Sequence, residues 1–400
     1  MYISRNIEEK ILSYLNTPEI IALVGPRQCG KTTLLKHIHD SLSGPANFIT
    51  FEDKQLLDLF TKQLKEFIKI HIEPYKYIFI DEFQYARRGG KGLKYIFDTS
   101  PRKIFISGSS SADLTIQAIK FLVGRIFVFQ LAPFDFAEYL SAKAPLLRQR
   151  YQPFDYVAAS KPMPEPSDLA DLTACFNEYA VFGGYPRVVL SKSRDEKIEV
   201  LKNIYNTYFL REVKDILGLV DDYKLAQMIK ALALQIGNLV EYQEISRIAD
   251  LSYQTVKSYL NFLQKTFISC LIKPFFINKR TEIVKNPKVY FYDTGLRNFI
   301  INDFRDLKER DDRGALLENG AAMQFLKKEL AINFWRTKRQ AEIDFIVNLP
   351  NNQRLAIEVK STPRITDSVV EFRKKYPDVP LFLASLAPNE QAGSLFLGQL

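Results

Sequence analysis

Gly25-Pro26-Arg27-Gln28-Cys29-Gly30-Lys31-Thr32 is the stretch on which the fold turns. It fits the pattern G-x-x-x-x-G-K-[ST] without a mismatch. An apolar run, Ile20–Val24, precedes it, and apolar residues at helical spacing follow it through Thr33–Leu42. Strand, glycine-rich loop and helix are the context the pattern needs. The glycines let the backbone curl so that its N–H groups point at phosphate oxygens, and the following helix adds the positive end of its dipole. Gly25 through Thr33 are therefore the expected nucleotide cradle, with Lys31 neutralising β- and γ-phosphates and the Thr32 hydroxyl ligating Mg²⁺.

Working outward, Tyr77-Ile-Phe-Ile-Asp81-Glu82 is a second apolar run that delivers an acidic pair to a strand end. Open α/β sheets bind ligands at the carboxyl ends of their strands. Asp81 is then placed to hold Mg²⁺ through water, and Glu82 to polarise the attacking water, which favours hydrolysis over binding alone. Solvated charges ending a strand are the alternative, and the phosphate loop upstream weighs against it. Lys103-Ile-Phe-Ile-Ser107-Gly-Ser109 ends a third run in small polar residues. Ser107 is the candidate γ-phosphate sensor, against a plain serine-rich turn. Arg125, after Gly124, is the candidate arginine finger or sensor if subunits assemble in a ring. With Asn47–Phe51 and Ile126–Gln130, these runs predict a mostly parallel sheet, covered on both faces by helices such as Lys54–Ile70.

Four hundred residues exceed a single core and predict two to four domains. Hydrophobic residues at 46% and charged ones at 25% exclude a fibre or a disordered tail. A net charge of +9 favours polyanionic partners, though charge alone does not establish one. Cys29, Cys175 and Cys270 are odd in number and widely spread, which reads as free thiols in a reducing compartment. The histidines, His37, His39 and His71, lie far from any cysteine pair, so a structural zinc site is not expected. No apolar run approaches the roughly 20 residues that span a bilayer. The Met1–Leu15 segment is amphipathic and charged, unlike a secretory signal, and a cytoplasmic location is expected.

Pro153, Pro162, Pro164 and Pro166 make Tyr151–Asp168 a loop in expectation. Helical periodicity then runs from about Leu169 to Leu263, interrupted at Phe182-Gly183-Gly184-Tyr185-Pro186. Within it, Ile245, Ile248 and Ala249 form one apolar face, Ser252 is placed to cap a second helix, and Val256, Leu260 and Leu263 line another. A hairpin, Ser269–Phe276 and Lys288–Tyr292 around a polar turn at Asn278–Thr281, supplies a wing. The reading is a winged helix whose second helix exposes Tyr253, Gln254, Lys257, Asn261 and Lys265 to nucleic acid. Protein contacts are the alternative use of the same surface.

The last ninety residues predict helix (Leu316–Lys328), three strands (Ile332–Thr337, Glu342–Asn348, Arg354–Ser361), helix (Thr366–Lys375) and strand (Pro380–Leu386). Glu358 and Lys360, two apart on a strand, share a sheet face. A hairpin brings Asp344 beside them, and Glu318 projects from the helix. Carboxylates so placed suit Mg²⁺ or Mn²⁺, with Asp344 and Glu358 as ligands and Lys360 positioning the nucleophile. A surface ion pair between Glu358 and Lys360 is the alternative. Trp335, Arg336, Lys338 and Arg339 lead into this site and offer cations to a phosphate backbone, or merely solvate a hairpin end.

Taken together, Gly-Pro-Arg-Gln-x-Gly-Lys-Thr, strand-Asp-Glu-Phe-Gln, Ser-Gly-Ser-Ser and Gly-Arg resemble the AAA-type P-loop ATPases of archaea and bacteria that carry a C-terminal domain of uncharacterised function. Leu131–Glu138 and Phe182–Pro186 look like the same family, and the resemblance spans essentially the whole chain. Cys29 departs from it, standing where a small aliphatic residue is more usual. The order α-β-β-β-α-β with Asp344, Glu358 and Lys360 resembles the PD-(D/E)XK nuclease core, and Glu318 matches its helical acid. The resemblance implies an α/β chain with an AAA-type core at 1–140, a helical lid at 141–230, a winged helix at 231–300 and a nuclease-like domain at 310–400. It implies ATP and Mg²⁺ as cofactors, DNA as partner, no membrane, a homo-oligomer as an option, and ATP hydrolysis with cleavage left open. The alternative is a nucleotide-controlled switch whose winged helix and tail bind protein partners without cutting.

Overall fold

Five apolar runs in the first 133 residues form one sheet in the computed structural model, which describes residues 2–108, 121–160, 163–206, 223–276, 280, 282, 285–350, 352–388 and 394–400. The chain divides into two compact units, Met1–Pro133 with Lys265–Phe267, and Phe134–Gln264 with Ile268–Leu400.

In the first unit the strands are β1 (Ile20–Val24), β2 (Ala46–Thr50), β3 (Tyr77–Asp81), β4 (Lys103–Gly108) and β5 (Ile126–Gln130). All neighbours run parallel, in the order β2-β3-β4-β1-β5. Every residue of β1, β3 and β4 is buried, the burial that continuous apolar strands require between two helical layers. One layer packs Leu34, Leu35 and Ile38 against Ile21, Leu23, Phe79 and Phe105. Phe79 and Phe105 stack with centroids 4.4 Å apart. The predicted helix over Lys54–Ile70 is two, Lys54–Lys62 and Leu64–His71, broken at Gln63 with φ −135°. The break re-phases the chain so that Phe60 and Phe67 meet edge to face at 5.2 Å, and both contact Phe51. Burying each such ring contributes about 1.5–3 kcal/mol.

In the second unit, helix Pro166–Phe182 begins inside the expected proline loop. Pro166 sits in its first turn, where the missing N–H has no partner to lose and the fixed φ suits a helix. Gly183-Gly184 ends this helix, as expected, for a tertiary reason. Gly183 has φ +77°, and a Cβ there would lie 2.1 Å from Asp293 Oδ1. The buried Asp293 carboxylate accepts from Gly184 N at 2.7 Å and from Leu296 N at 2.9 Å, joining the glycine turn to the start of helix Thr294–Ile301.

Helices Tyr242–Ala249 and Tyr253–Lys265 flank a tight turn at Asp250, φ +50°. Ser252 caps the second, accepting from Thr255 N at 3.1 Å. The antiparallel pair β6 (Ser269–Ile272) and β7 (Lys288–Phe291) follows. β6 is shorter than the expected Ser269–Phe276 because the chain changes partner. Pro274, which has no N–H, bridges to Phe334, and Phe275 N donates to Phe334 O at 2.5 Å. Of the expected polar turn Asn278–Thr281, only Arg280 lies among the described residues, and Ser109 also lies outside them.

A five-stranded mixed sheet closes the chain: β8 (Ala331–Arg336), β9 (Glu342–Asn348), β10 (Arg354–Val359), β11 (Leu381–Ser385) and β12 (Ser394–Phe396). β8, β9 and β10 pair antiparallel, and β10, β11 and β12 parallel. Helix Asp367–Lys375 buries Val369 and Phe372 with Trp335, Ile343 and Leu383. Helix Arg313–Lys327 sets Phe325 on Phe345. β12 has no counterpart in the expected elements: its three residues are too few for a periodic signal.

Candidate nucleotide site and carboxylate cluster

β1 runs straight into the loop Gly25–Gly30, and helix Lys31–Ser41 leaves it. Two residues of the loop have left-handed backbone, Gln28 at φ +60° and Gly30 at φ +100°. Gly25 is required for space, since a Cβ there would lie 2.1 Å from Leu131 O. The curl is held from outside by Arg5. Its buried guanidinium donates to Cys29 O at 2.8 Å and to Ala132 O at 2.6 Å. Lys31 is buried, and its ammonium donates to Gly25 O and Pro26 O at 3.0 and 2.8 Å. A phosphate in the cradle would give that ammonium a charged, stronger acceptor.

Parallel pairing brings the carboxyl ends of β1, β4 and β3 side by side, with β4 in the middle. Ser107 near the end of β4 therefore lies between the loop and Asp81. Thr32 Oγ1 donates to Asp81 Oδ2 at 2.7 Å, and Ser107 Oγ donates to Asp81 Oδ1. Glu82 N in turn donates to Ser107 Oγ at 3.2 Å. Glu82 has φ +56°, a strained conformation for a non-glycine residue and of the kind that gathers at functional sites. The Gln84 amide donates to its carboxylate. Lys31, Thr32, Asp81, Glu82 and Ser107 thus converge. The hydroxyl of Thr32 and the carboxylate of Asp81 are adjacent hard oxygens, a donor pair that fits Mg²⁺.

Arg125 does not join them. It precedes β5 at the other edge of the sheet, where its carbonyl accepts from Ile20 N, the start of β1. A five-residue strand puts roughly 15 Å between the two edges. Its guanidinium pairs with Asp98 at 2.9 Å.

In the second unit, β9 and β10 set Asp344 and Glu358 together. Val359 N donates to Asp344 Oδ2 at 2.8 Å, and Asp344 N to Glu358 Oε2 at 3.2 Å. Lys360 Nζ is 2.5 Å from Glu358 Oε1. Burial, reinforced by Glu318 and Glu358, holds the Asp344 carboxyl well above the usual carboxylate range, with Lys288 opposing. Burial also raises Glu358, and Lys360 offsets part of that. Glu318, on helix Arg313–Lys327, reaches the group but is taken by two side chains of β7. Lys288 Nζ lies 2.9 Å from Glu318 Oε1, and the Tyr290 hydroxyl donates to the same oxygen. Lys288 also pairs with Glu342, two residues before Asp344 on β9. Among the described residues, no group of three or more His, Cys, Asp or Glu is disposed to hold a metal ion.

Helix Tyr253–Lys265 buries Val256, Leu260 and Leu263 and leaves Tyr253, Gln254, Lys257, Asn261 and Lys265 exposed. Lys257 stands 4.5 Å from the centroid of Tyr253. Separately, a cavity of about 750 Å³ opens between the hairpin and the mixed sheet, edged by Lys285, Arg336, Lys338 and Lys375, with Phe334 in its wall.

Sequence reasoning passed over Arg5, Gln84, Lys288, Tyr290 and Glu342. Lys288 and Tyr290 carried a signal, since two residues apart on a strand they must share a face. Arg5 carried none, because its partners are backbone carbonyls.

The five-stranded parallel sheet and the loop that leaves β1 match a P-loop AAA ATPase core. Residues 17–140 match the family model described as an AAA domain. Residues 173–307 and 313–390 match two further families, each described as a domain of unknown function. An uncharacterized protein of Methanocaldococcus jannaschii is 25% identical over 370 residues, covering 89% of this chain and 77% of the relative. One from Haemophilus influenzae is 25% identical over 398 residues, covering 94% and 91%. Among solved structures, a Walker-type ATPase of Pyrococcus abyssi superposes with a TM-score of 0.46 at 17% identity, covering 75% of this chain and 96% of that one. No described helix is long and apolar enough to cross a membrane.

Proposed function

We propose that the first unit binds ATP with Mg²⁺ through Gly25–Thr33 and hydrolyses it, and that the second unit couples this turnover to nucleic acid. One observation carries the first half: Asp81 accepts from both Thr32 and Ser107 beside Lys31, with Glu82 next in the chain. Lys31 neutralises the phosphates, Thr32 and Asp81 hold the ion, Ser107 senses the γ-phosphate, and Glu82 orients water. Lys31→Ala is expected to abolish ATP uptake by calorimetry. Glu82→Gln should retain ATP while turnover falls by roughly 10²-fold or more. Uptake by Lys31→Ala equal to wild type overturns the assignment.

The exposed face of Tyr253–Lys265, the second helix of a helix-turn-helix, and the basic edge of the cavity support DNA as the partner. In this reading 1–140 is the ATPase core, 141–230 a helical lid, 231–300 a winged helix and 310–400 a PD-(D/E)XK-like domain. DNA affinity should fall steeply with salt, and Lys257→Ala should reduce that slope by about one. Affinity indifferent to salt sinks the DNA assignment and favours protein partners. A ring in which Arg125 serves a neighbour's phosphate requires turnover per chain to rise with protein concentration and Arg125→Ala to remove the rise.

For the C-terminal sheet, the topology, Asp344, Glu358 and Lys360 support a nuclease-like fold. The second reading, binding without cleavage, is favoured by Lys288, which pairs with Glu318, the helical acid of the cluster, and with Glu342, two residues before Asp344. Mg²⁺- or Mn²⁺-dependent cutting that disappears in Asp344→Asn decides for cleavage.

A further inference from the structure

The carboxylate cluster is assembled from three separate pieces of chain, and each of its acids already has a partner. Glu318 comes from helix Arg313–Lys327, Glu342 and Asp344 from β9, and Glu358 from β10. Glu318 Oε1 accepts from Lys288 and Tyr290, and Glu342 pairs with Lys288 and, at 3.3 Å, with Arg336. Glu358 accepts from Asp344 N and pairs with Lys360, while Asp344 accepts from Val359 N. Of the three cations that pair with these acids, Lys288 is the most deeply buried, its side chain only 2% exposed. Its approach is prepared by the backbone. Gly237, φ +75°, donates to Val289 O, and a Cβ at Gly237 would come 3.2 Å from Glu318 Oε2. The glycine makes room for the acid that meets the lysine.

We infer that Lys288 is the resident cation of this cluster, its ammonium filling the place and the charge role of a divalent ion, so that the wild-type sheet is a metal-free binding surface. This rests on the non-cleaving reading of the C-terminal sheet and gives it a cause. A buried ammonium between Glu318 and Glu342 repels an incoming dication at short range, in a medium that screens poorly. It also engages Glu318 Oε1, together with the Tyr290 hydroxyl. Breaking such a buried pair leaves unpaired carboxylates, and hard carboxylate oxygens without a cation are what Mg²⁺ and Mn²⁺ select. The cluster is therefore one substitution away from a metal site.

The test uses the full chain, free of nucleotide and carrying Asp81→Asn to silence the ATP-site ion, with Mn²⁺ uptake followed by electron paramagnetic resonance. Asp81→Asn alone is expected to show no uptake that depends on Asp344. Adding Lys288→Met should create one Mn²⁺ site with a dissociation constant on the order of 0.1–1 mM, and a further Asp344→Asn should remove it. Asp344-dependent uptake without the Lys288 change overturns the inference. So does the absence of a new site in a Lys288→Met chain with native circular dichroism. If that variant does not fold, the comparison of Asp81→Asn with Asp81→Asn/Asp344→Asn decides alone: uptake equal in the two supports the inference. DNA cutting in Mn²⁺ by the otherwise unaltered chain would instead sink the non-cleaving reading, which separates the two failures.

Discussion

Arg5 shows how much a single side chain can do for a loop it never enters. Its two bonds go to one carbonyl of the cradle, Cys29 O, and one beyond β5, Ala132 O, a pair suited to a planar fork. Charged hydrogen bonds of this kind contribute roughly 1.5–3 kcal/mol each. Arg5→Ala is therefore expected to weaken ATP binding at least tenfold in calorimetry, and Arg5→Lys to restore only part; unchanged affinity would reduce Arg5 to packing. Lys103 offers a residue-scale test of stability. It is buried, donates to Thr17 O and Glu19 O at 2.9 and 2.7 Å, and burial lowers its pKa from 10.5 to about 8, with Glu19 opposing. Between about pH 8 and 10.5 the unfolded chain binds more protons at this site than the folded one. Stability from Lys103 therefore rises with pH across that window, by up to about 3 kcal/mol. Lys103→Met should flatten the rise in denaturant midpoint between pH 8 and 10 relative to wild type; identical curves would count against the shift.

Among the elements, the glycine turn after helix Pro166–Phe182 is where packing leaves least freedom. Gly183 and Gly184 sit against Asp293 and Phe134 O, and Gly295 sits against Phe182 O, so no side chain fits at any of the three. Gly183→Ala combines a left-handed φ with a carboxylate clash. It should destabilise the chain by roughly 3 kcal/mol or more, read as a large fall in melting temperature. A fall within experimental error would mean that the turn re-forms elsewhere. Helix Tyr253–Lys265 behaves in the opposite way. Its buried stripe fixes its place, while its outer face of Tyr253, Gln254, Lys257 and Asn261 is free to be changed at little cost to stability.

At the scale of the whole molecule, the testable property is coupling. ATP-driven ordering around the γ-phosphate is a known route from a site to mobile elements. Saturating DNA should change ATP turnover and ATP affinity, and ATP with Mg²⁺ should change DNA affinity by the same coupling free energy as the shift in ATP affinity, about 1–3 kcal/mol where such links exist. Turnover indifferent to DNA together with affinity indifferent to nucleotide would leave two independent activities on one chain.

The phosphate loop, the five strands that frame it and the α-β-β-β-α-β order of the C-terminus were legible in the sequence. Local signals carry them: glycine spacing, buried apolar runs and side chains that alternate along a strand. β12 and the break at Gln63 were not, because three residues give no period and a re-phased helix pair keeps the pattern of one. The convergence of Thr32, Ser107 and Asp81 follows from parallel register, which the motifs implied. The capture of Glu318 by Lys288 and the clamp of Arg5 on Cys29 join residues 30 and 24 apart through no shared periodicity. Only the packed chain decides such pairs, since burial forces each charge to take whichever partner the fold brings within reach.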